Sequence, residues 1–560
     1  MKQSNLSLFL LTTLITLLPF NMFAQSPLSG NKPTFTRADS LRGSLRPERT
    51  WFDVTFYDLN IKVDPDKQTI EGFNTIHFLV NESFPVMQLD LFDNLNIDSI
   101  VYKDRKLGYK REFNAVFIEM GELIKPGEIE ELTFYYSGTP TVAIRAPWDG
   151  GFVWNKDKNG NHFVGVACQG FGASSWWPTK DHQSDEPDSM RIAGTVPSNL
   201  VMASNGRLRS TVENGDWTTY EWFVSYPINN YNASITIADF ANFNDTYVSE
   251  TEGTLDLRYY VLSYNLEKAK KQFEQVPPMM ACYEEWLGPY PFWRDGFALI
   301  ETPYLGMEHQ SGIAYGNDYL TGYAGTDFSR IGLTFDYIII HEAGHEWWGN
   351  NLTSFDIGDM WIHEGFCTYT ESLYVECMFG YEKAMDYVNA KKPTIGNREP
   401  VQGPYGVNHE GNGDMYNKGM LMLNTVRHAV GNDDLWHEIL KGLQTDYKYS
   451  IVTRKDIIEY INEKTGKDFS HIFAQYLDYT SVPQLQFKTT KKGKNLMVDY
   501  RWEADAVGFD LPFKYKDNTG EWQTIYPTSE WQSMKLKKMK EKNLEWAMRD
   551  FYVVVKNVGE

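Results

Sequence analysis

Four cysteines in 560 residues are too few for the dense bridging that holds small secreted folds together. Cys168, Cys282, Cys367 and Cys377 show no close-packed spacing, and no disulfide is inferred from them. Positive charge is also scarce: 53 Lys and Arg face 74 Asp and Glu, for a formal net charge of −21. That balance argues against nucleic acid as a partner, because phosphate contacts need clustered cations. The one basic run, KLKKMKEK at 535–542, reads as a solvated surface segment. Beyond residue 20 no apolar run approaches the roughly 20 residues that span a bilayer, so no stable membrane insertion is expected. Charge-rich, aromatic-poor tracts and internal repeats are missing as well, which argues against extended disorder and repeat architectures.

What is present is material for burial: 42% hydrophobic and 15% aromatic residues. Single cores stop growing near roughly 250–300 residues, so a chain of this length divides into several domains. At the start, MKQSNLSLFLLTTLITLLPFNMFAQS places Lys2 before an apolar run from Leu6 to Phe20 that Thr12, Thr13, Thr16 and Pro19 interrupt. This pattern predicts a signal peptide over 1–24, followed by a leader over 25–48, and hence an exported protein, periplasmic or secreted.

From Trp51 to Phe243 short β-type runs such as TFYDLNIKV, TIEGFNTIHFLV and ASITIADF alternate with Asp, Asn, Gly and Pro turn signals. They predict an N-terminal β domain over 49–245. From Leu266 the period turns helical, including Phe335 to Trp348, Glu371 to Met378, Lys418 to Val430, Asp456 to Tyr460 and Ile472 to Tyr476. This largely α region is assigned to 246–484. After Pro483 strand periods return in LQFKTT, NLMVDYRW, FKYKD and YVVVKN, giving a small C-terminal β domain over 485–560. The expected fold class is therefore multidomain α+β.

The chemistry is concentrated in IIIHEAGHEWWGN, residues 338–350. His341 and His345 are four apart, so on a helix their imidazoles project from one face and converge on one ion. Glu342 lies beside that face, where it would accept a proton from a metal-bound water; this is the H-E-x-x-H pattern of zinc peptidases. Burying two imidazoles and a carboxylate among Ile338, Ile339, Ile340, Trp347 and Trp348 without partners would be costly, which favours a metal over a purely structural role. Catalytic zinc keeps three protein ligands. DMWIHEGFCTYTESLYVECMFG reads as a second helix, with a start signal at Asp359 and Gly380 as its stop. Near its start Glu364, nineteen positions beyond His345, supplies the third ligand. Glu371, two turns on, either holds an imidazole N–H or is a surface acid, and the sequence leaves both open. His363 should point away from Glu364 and reads as structural.

These residues resemble the aminopeptidase N family of gluzincin metallopeptidases, which also contains leukotriene-A hydrolase. HEAGHEWWGN and WIHEGFCTYTE are similar to its paired zinc motifs, with the His345 to Glu364 spacing unchanged. Leu305, Gly306, Met307, Glu308 and His309 resemble its G-x-M-E-N substrate motif, preceded by the similar GPYPF at 288–292; YNKG, beginning at Tyr416, resembles its Y-E-K-G. FYDLNIKVD, IEGFNTIHF and WWPTKDHQSDEPDS are similar to stretches of its N-terminal half. The resemblance runs from about residue 50 to the end. It implies an N-terminal β domain, a thermolysin-like α/β catalytic domain and a short C-terminal β-sandwich, with no room for a large helical domain in the 77 residues after Pro483.

The resemblance further implies one Zn²⁺ per chain on His341, His345 and Glu364, with Glu342 as general base and Tyr416 as donor to the oxyanion. Gln169, Gly306, Met307 and Glu308 would bind substrate, Glu308 and Gln169 taking the free α-ammonium of a peptide. The sequence departs from the pattern at Leu305, His309 and His363. The activity implied is that of a zinc metallo-aminopeptidase; epoxide hydrolysis, a thermolysin-like endopeptidase and a silent binding scaffold are the alternatives.

Overall fold

The computed structural model describes residues 34–559. The signal peptide over 1–24 and the leader as far as residue 33 lie outside them.

Strands dominate as far as Leu262. Phe52–Asp64 alternates inward Leu59, Ile61 and Val63 with half-exposed Asn60 and Lys62, and turns back antiparallel along Thr69–Val80. Around this pair grows an eight-stranded sheet in the order Arg207–Asn214, Trp217–Val224, Ser189–Pro197, Phe52–Asp64, Thr69–Val80, Ile129–Gly138, Leu95–Tyr102 and Arg105–Lys106. A four-stranded sheet contains His162–Ala167, whose end delivers Cys168 and Gln169. A five-stranded sheet runs Phe240–Ser249, Gly253–Leu262, Phe297–Glu301, Ile313–Tyr315 and, at its edge, Gly306–Met307. The strand Phe240–Ser249 thus already belongs to the sheet that carries the substrate-motif residues.

Helices follow from Leu266 to Asp478. Their ends match local chemistry: Asn432 caps Asp433–Asp446, Thr453 and Asp456 form a capping box before Arg454–Thr465, and Gly431 and Gly466 take the left-handed conformation at C-termini. After Gln484 strands return in a four-stranded and a three-stranded sheet, where Trp502 meets Phe513 edge-on with ring centroids 5.6 Å apart. Among the described residues no helix is long and apolar enough to cross a membrane.

Three expectations need correction. The helix expected over Phe335 to Trp348 is regular only over Tyr337–Gly344; beyond it the Glu346 and Trp347 amides donate to the carbonyls three residues back, and Gly349 turns the chain at a φ of 117°. The second helix starts at Trp361 rather than Asp359. Asp356 caps the short turn ahead of it, while Asp359 is used to accept hydrogen bonds from Tyr405 and the Arg454 amide. A disulfide also forms where none was inferred. Cys282 on Val276–Leu287 joins Cys377 near the end of Trp361–Phe379 across a separation of 95 residues. Sequence spacing could not show it, because the two helices are brought side by side only by packing on the core.

The leader residues from Phe35 are ordered on this frame. Thr36 caps Arg37–Gly43, and Arg49 on Pro47–Thr50 is fully buried against Asp90. Arg42 reaches the Phe171 carbonyl and Asp181, so the stretch WWPTKDHQSDEPDS serves to hold the leader and the loop after Gln169. Lys180 and Asp185 of the same stretch form a second buried pair.

Candidate active site

Ile338, Ile339 and Ile340 drive Tyr337–Gly344 into the core, and the Asp336 carboxylate accepts from the Ile338 amide at 3.1 Å to start it. His345 lies one residue past the regular helix at φ −66°, ψ −19°, which is still right-handed helical, so the four-residue register with His341 survives. Their Nε2 atoms stand 3.3 Å apart with the rings at 82°. Trp361–Phe379 crosses behind them; a Cβ on Gly344 would meet the Cys367 sulfur at 2.9 Å, so this glycine sets the approach of the two helices. The crossing carries Glu364 Oε2 to 3.5 Å from His341 Nε2 and 3.3 Å from His345 Nε2.

These three atoms fit a zinc ion. Zinc bonds of about 2.05 Å in a tetrahedron place ligand atoms roughly 3.3 Å apart, close to the separations found. Both imidazoles present a lone pair at Nε2, because each Nδ1–H is already donated: that of His341 to Glu371 Oε1 at 2.7 Å, that of His345 to the Trp348 carbonyl at 2.9 Å. Glu364 Oε2 is buried without a hydrogen-bond donor among the described residues, a cost that a cation would remove. The nearby Cys367 thiol is engaged with the His341 main-chain carbonyl at 2.8 Å. Burial alone would lower both imidazoles, but Cys367 and the surrounding carboxylates outweigh it and raise them well above the usual range. Burial likewise opposes charge on Glu364, yet the two imidazoles hold it below the ordinary carboxylate range. The site favours positive charge where the three donors meet. Glu371, left open by the sequence, is fully buried beneath His341 and takes a second hydrogen bond from Tyr387.

The remaining expected residues gather in front of this centre. Glu342, Glu308 and His345 each bring one ligand-type atom within 4.8 Å of the others. Burial raises Glu342 above the ordinary carboxylate range. A Cβ on Gly306 would meet Ile338 at 2.7 Å and Glu342 Oε1 at 3.0 Å, so the edge strand Gly306–Met307 approaches the histidine helix only as glycine. Leu305, where the family pattern has glycine, is half-buried against the core, and its carbonyl accepts from Gly316 at 2.8 Å. Gln169 donates through Nε2 to Glu308 Oε1 and, at 3.3 Å, to Glu364 Oε1, so one amide bridges the two acids. Burial pushes the Glu308 carboxyl up to about 8. Met307 is buried against the N-terminal core. The Tyr416 ring stacks on His341 with centroids 6.1 Å apart, and burial with the charges of Glu364, Glu410 and Glu308 keeps its phenol protonated.

Several residues of the site carried no signal in the sequence. Tyr231 donates to Glu308 Oε1 at 3.1 Å, and Asn350 holds the Glu308 carbonyl at 3.0 Å. Glu346 accepts from the Ser311 amide at 2.7 Å and from Tyr290 at 3.1 Å, fastening the turn after Glu308 to the histidine helix. Glu346 directly follows His345, and that adjacency was its one clue. Tyr231 lies in the short helical turn Asn230–Asn232, which carries no motif, and only the tertiary fold brings it here. His309 makes no hydrogen bond to Glu308 among the described residues, and burial lowers its ring to about 3. His363 points away from the three donors, as expected: its Nε2 accepts from the Ser354 amide at 2.9 Å.

Residues 271–476, which contain both site helices and Tyr416, match the peptidase family M1 domain. This region is an M1 peptidase domain. Curated relatives of this chain include mouse aminopeptidase B, 24% identical over 257 residues, 43% of this chain and 37% of that protein. A probable aminopeptidase 2 of Sulfurisphaera tokodaii is 20% identical over 440 residues, 76% of this chain and 54% of its own length. The chain spans about half, or less, of the length of these relatives. Among solved structures, the M1 zinc metallopeptidase of Deinococcus radiodurans superposes with a TM-score of 0.68 at 18% identity, covering 79% of this chain and 97% of the other. Legionella pneumophila aminopeptidase A, in complex with aspartic acid, gives 0.76 at 16% identity over 90% of this chain and 60% of its own. At these identities the structural likeness establishes the M1 fold.

Proposed function

We propose that this M1 protein is a zinc aminopeptidase that hydrolyses the first peptide bond of peptides with a free N-terminus. The observation that carries the reading is Glu308: a carboxylate only 2% exposed, held by Gln169 and Tyr231, with a ligand-type oxygen within 4.8 Å of that of the metal donor His345 and bridged by the Gln169 amide to the donor Glu364. Among the described residues it has no cationic partner. An α-ammonium supplies one through a charge-assisted hydrogen bond, and the short distance to the donors leaves only the first peptide bond within reach.

His341, His345 and Glu364 would hold the zinc, which when bound polarises the scissile carbonyl and acidifies water. Glu342 takes the proton from the attacking water and returns it to the leaving amine; its raised affinity for a proton suits both steps. Tyr416 donates its phenolic proton in a hydrogen bond to the developing oxyanion. Gly306 and Met307 form the edge strand of the sheet that holds Ile313–Tyr315, and an extended peptide adds along that free edge. The alternatives gain no specific support: an endopeptidase has no use for a buried acid beside the metal, and nothing in the site selects an epoxide.

We read the chain as the three domains expected over 49–245, 246–484 and 485–560, with the first boundary moved back to about residue 239 so that Phe240–Ser249 stays with its sheet, and with the last domain a β-sandwich. Export to the periplasm or medium is part of the same proposal, and the Cys282–Cys377 bridge supports it, since such bonds persist in oxidising compartments.

The test compares kcat/KM for one peptide, free and N-acetylated, with wild-type and Glu308→Ala enzyme. Acetylation and the mutation should each be severe and should not add, because either destroys the same contact. Chelation should abolish activity, and Glu342→Gln should retain zinc while losing roughly 10²-fold to 10⁴-fold in rate. Efficient wild-type cleavage of the acetylated peptide would replace this reading with the endopeptidase.

A further inference from the structure

The Glu308 carboxylate has two oxygens in different situations. Oε1 accepts from both the Gln169 amide and the Tyr231 phenol, whereas Oε2 accepts from no group among the described residues. The carboxylate is therefore fixed by one oxygen and offers the other. What fixes Tyr231 is the imidazole of His363: its Nδ1 lies 3.4 Å from the phenolic oxygen. The other end of the ring meets the main chain, where Nε2 accepts from the Ser354 amide at 2.9 Å.

The direction of this chain of hydrogen bonds follows from the Ser354 amide. A main-chain N–H only donates, so His363 Nε2 carries no proton and the ring proton sits on Nδ1. That N–H donates to the Tyr231 oxygen. The phenol has a single proton, and with its oxygen accepting from His363 the proton is left for Glu308. Gln183 Nε2, 3.4 Å from His363 Nε2, approaches the same end of the ring and leaves the direction unchanged. Tyr231 and His363 are both almost wholly buried, so water does not compete for these contacts.

We infer that Tyr231 and His363 are positioning residues for the amine-binding acid: the relay from Ser354 N–H through His363 and Tyr231 pins Glu308 Oε1 and aims Oε2 at the substrate's ammonium. The inference rests on the aminopeptidase reading above. It also gives His363, one of the departures from the family pattern, a task. Consecutive residues of one helix point in different directions, Glu364 toward the metal donors and His363 toward the relay. A single helical turn thereby sets the distance between the metal and the group that counts from the N-terminus.

The experiment uses the zinc-loaded full chain and one peptide in free-amine and N-acetylated forms. Tyr231→Phe keeps the ring and removes the donor. KM for the free-amine peptide should rise roughly tenfold or more, the usual consequence of losing a hydrogen bond to a charged group. Its kcat should stay within about threefold, and zinc content and melting temperature should match wild type. His363→Asn, whose amide N–H sits where Nδ1 does and still donates to Tyr231, should stay within about threefold of wild-type KM. His363→Leu should reproduce the Tyr231→Phe effect, and the two should not add. A wild-type KM for Tyr231→Phe, or equal losses on the free and acetylated peptides, overturns the relay. Should His363→Leu fail to fold, Tyr231→Phe and His363→Asn still decide. The two readings fail separately: a wild-type enzyme indifferent to acetylation removes the aminopeptidase and the relay with it, whereas strong wild-type preference with an unaffected Tyr231→Phe removes the relay alone.

Discussion

Nδ1 of His341 lies 2.7 Å from Oε1 of Glu371, two turns along the second site helix from Glu364. The contact fixes the tautomer that turns the His341 Nε2 lone pair toward Glu364, and Tyr387 occupies the other oxygen of Glu371. Glu371→Gln should therefore leave the fold intact but weaken zinc binding about 10-fold to 100-fold, the usual effect of removing such a partner. Competition with a chromogenic chelator measures it. Wild-type zinc affinity in a folded Glu371→Gln protein would show that packing alone orients the ring.

Tyr416 stacks on His341 and presents its phenol beside Glu364. Tyr416→Phe should lower kcat by about 10²-fold with little change in KM, since an oxyanion donor acts where charge develops. Steady-state kinetics on a free-amine peptide decide the matter. A raised KM with an unchanged kcat would reassign Tyr416 to substrate binding.

Gly306 has no room for a side chain, since an added methyl would lie within 3.0 Å of both Ile338 and Glu342 Oε1. Gly306→Ala must push the edge strand or Glu342 aside, and kcat/KM should fall at least tenfold, because displacements near 1 Å at a reacting centre are that costly. Zinc content should not change. Gly396→Ala, a change at a glycine whose nearest neighbours are 3.7 Å or more from the added methyl, serves as the control.

The Cys282–Cys377 bridge closes a loop of 95 residues. Loop-closure entropy for that length corresponds to about 4 to 5 kcal/mol, and measured bridges more often give about 2 to 4. Cys282→Ser should lower the denaturant midpoint accordingly, and a reducing agent should lower the wild-type midpoint while leaving that of Cys282→Ser unchanged. Equal midpoints for all of these would show that the bridge is not formed in solution.

His182 donates from Nε2 to the Gly43 carbonyl at 3.2 Å and accepts from the Ser184 amide at 3.1 Å, and burial lowers its ring to about 3. The unfolded chain binds a proton there near pH 6.5, while the folded chain resists until about 3. Stability from His182 is therefore complete above pH 6.5 and declines as pH falls between those values. His182→Gln should flatten the loss of stability between about pH 7 and pH 5, as read from urea midpoints at each pH. An unchanged slope would place the acid sensitivity elsewhere.

How far the sequence reached differs from residue to residue. His341, His345 and Glu364 were legible because their geometry is local to two helices: a four-residue spacing on one, and a position near the start of the other. Glu308 and Gln169 were reached only through resemblance, since 139 residues separate them and no periodicity relates them. Glu371 was visible as an acid two turns from Glu364, but whether it faced solvent or His341 depended on which side of its helix the histidine helix crosses.

By itself the sequence determined the local elements and the donor types: the alternation that makes the strands, the Asp, Asn and Gly signals at helix ends, and the imidazoles and carboxylates with their spacing along the chain. These follow from interactions within a few residues. Tertiary structure decided the contacts that close across long separations. It joined Cys282 to Cys377, brought Tyr231 and His363 to Glu308, and set Arg42 of the leader against the loop that carries Gln169. Such contacts depend on how whole sheets and helices pack, because a side chain's partner across the fold is chosen by the burial of everything around it and not by its neighbours in sequence.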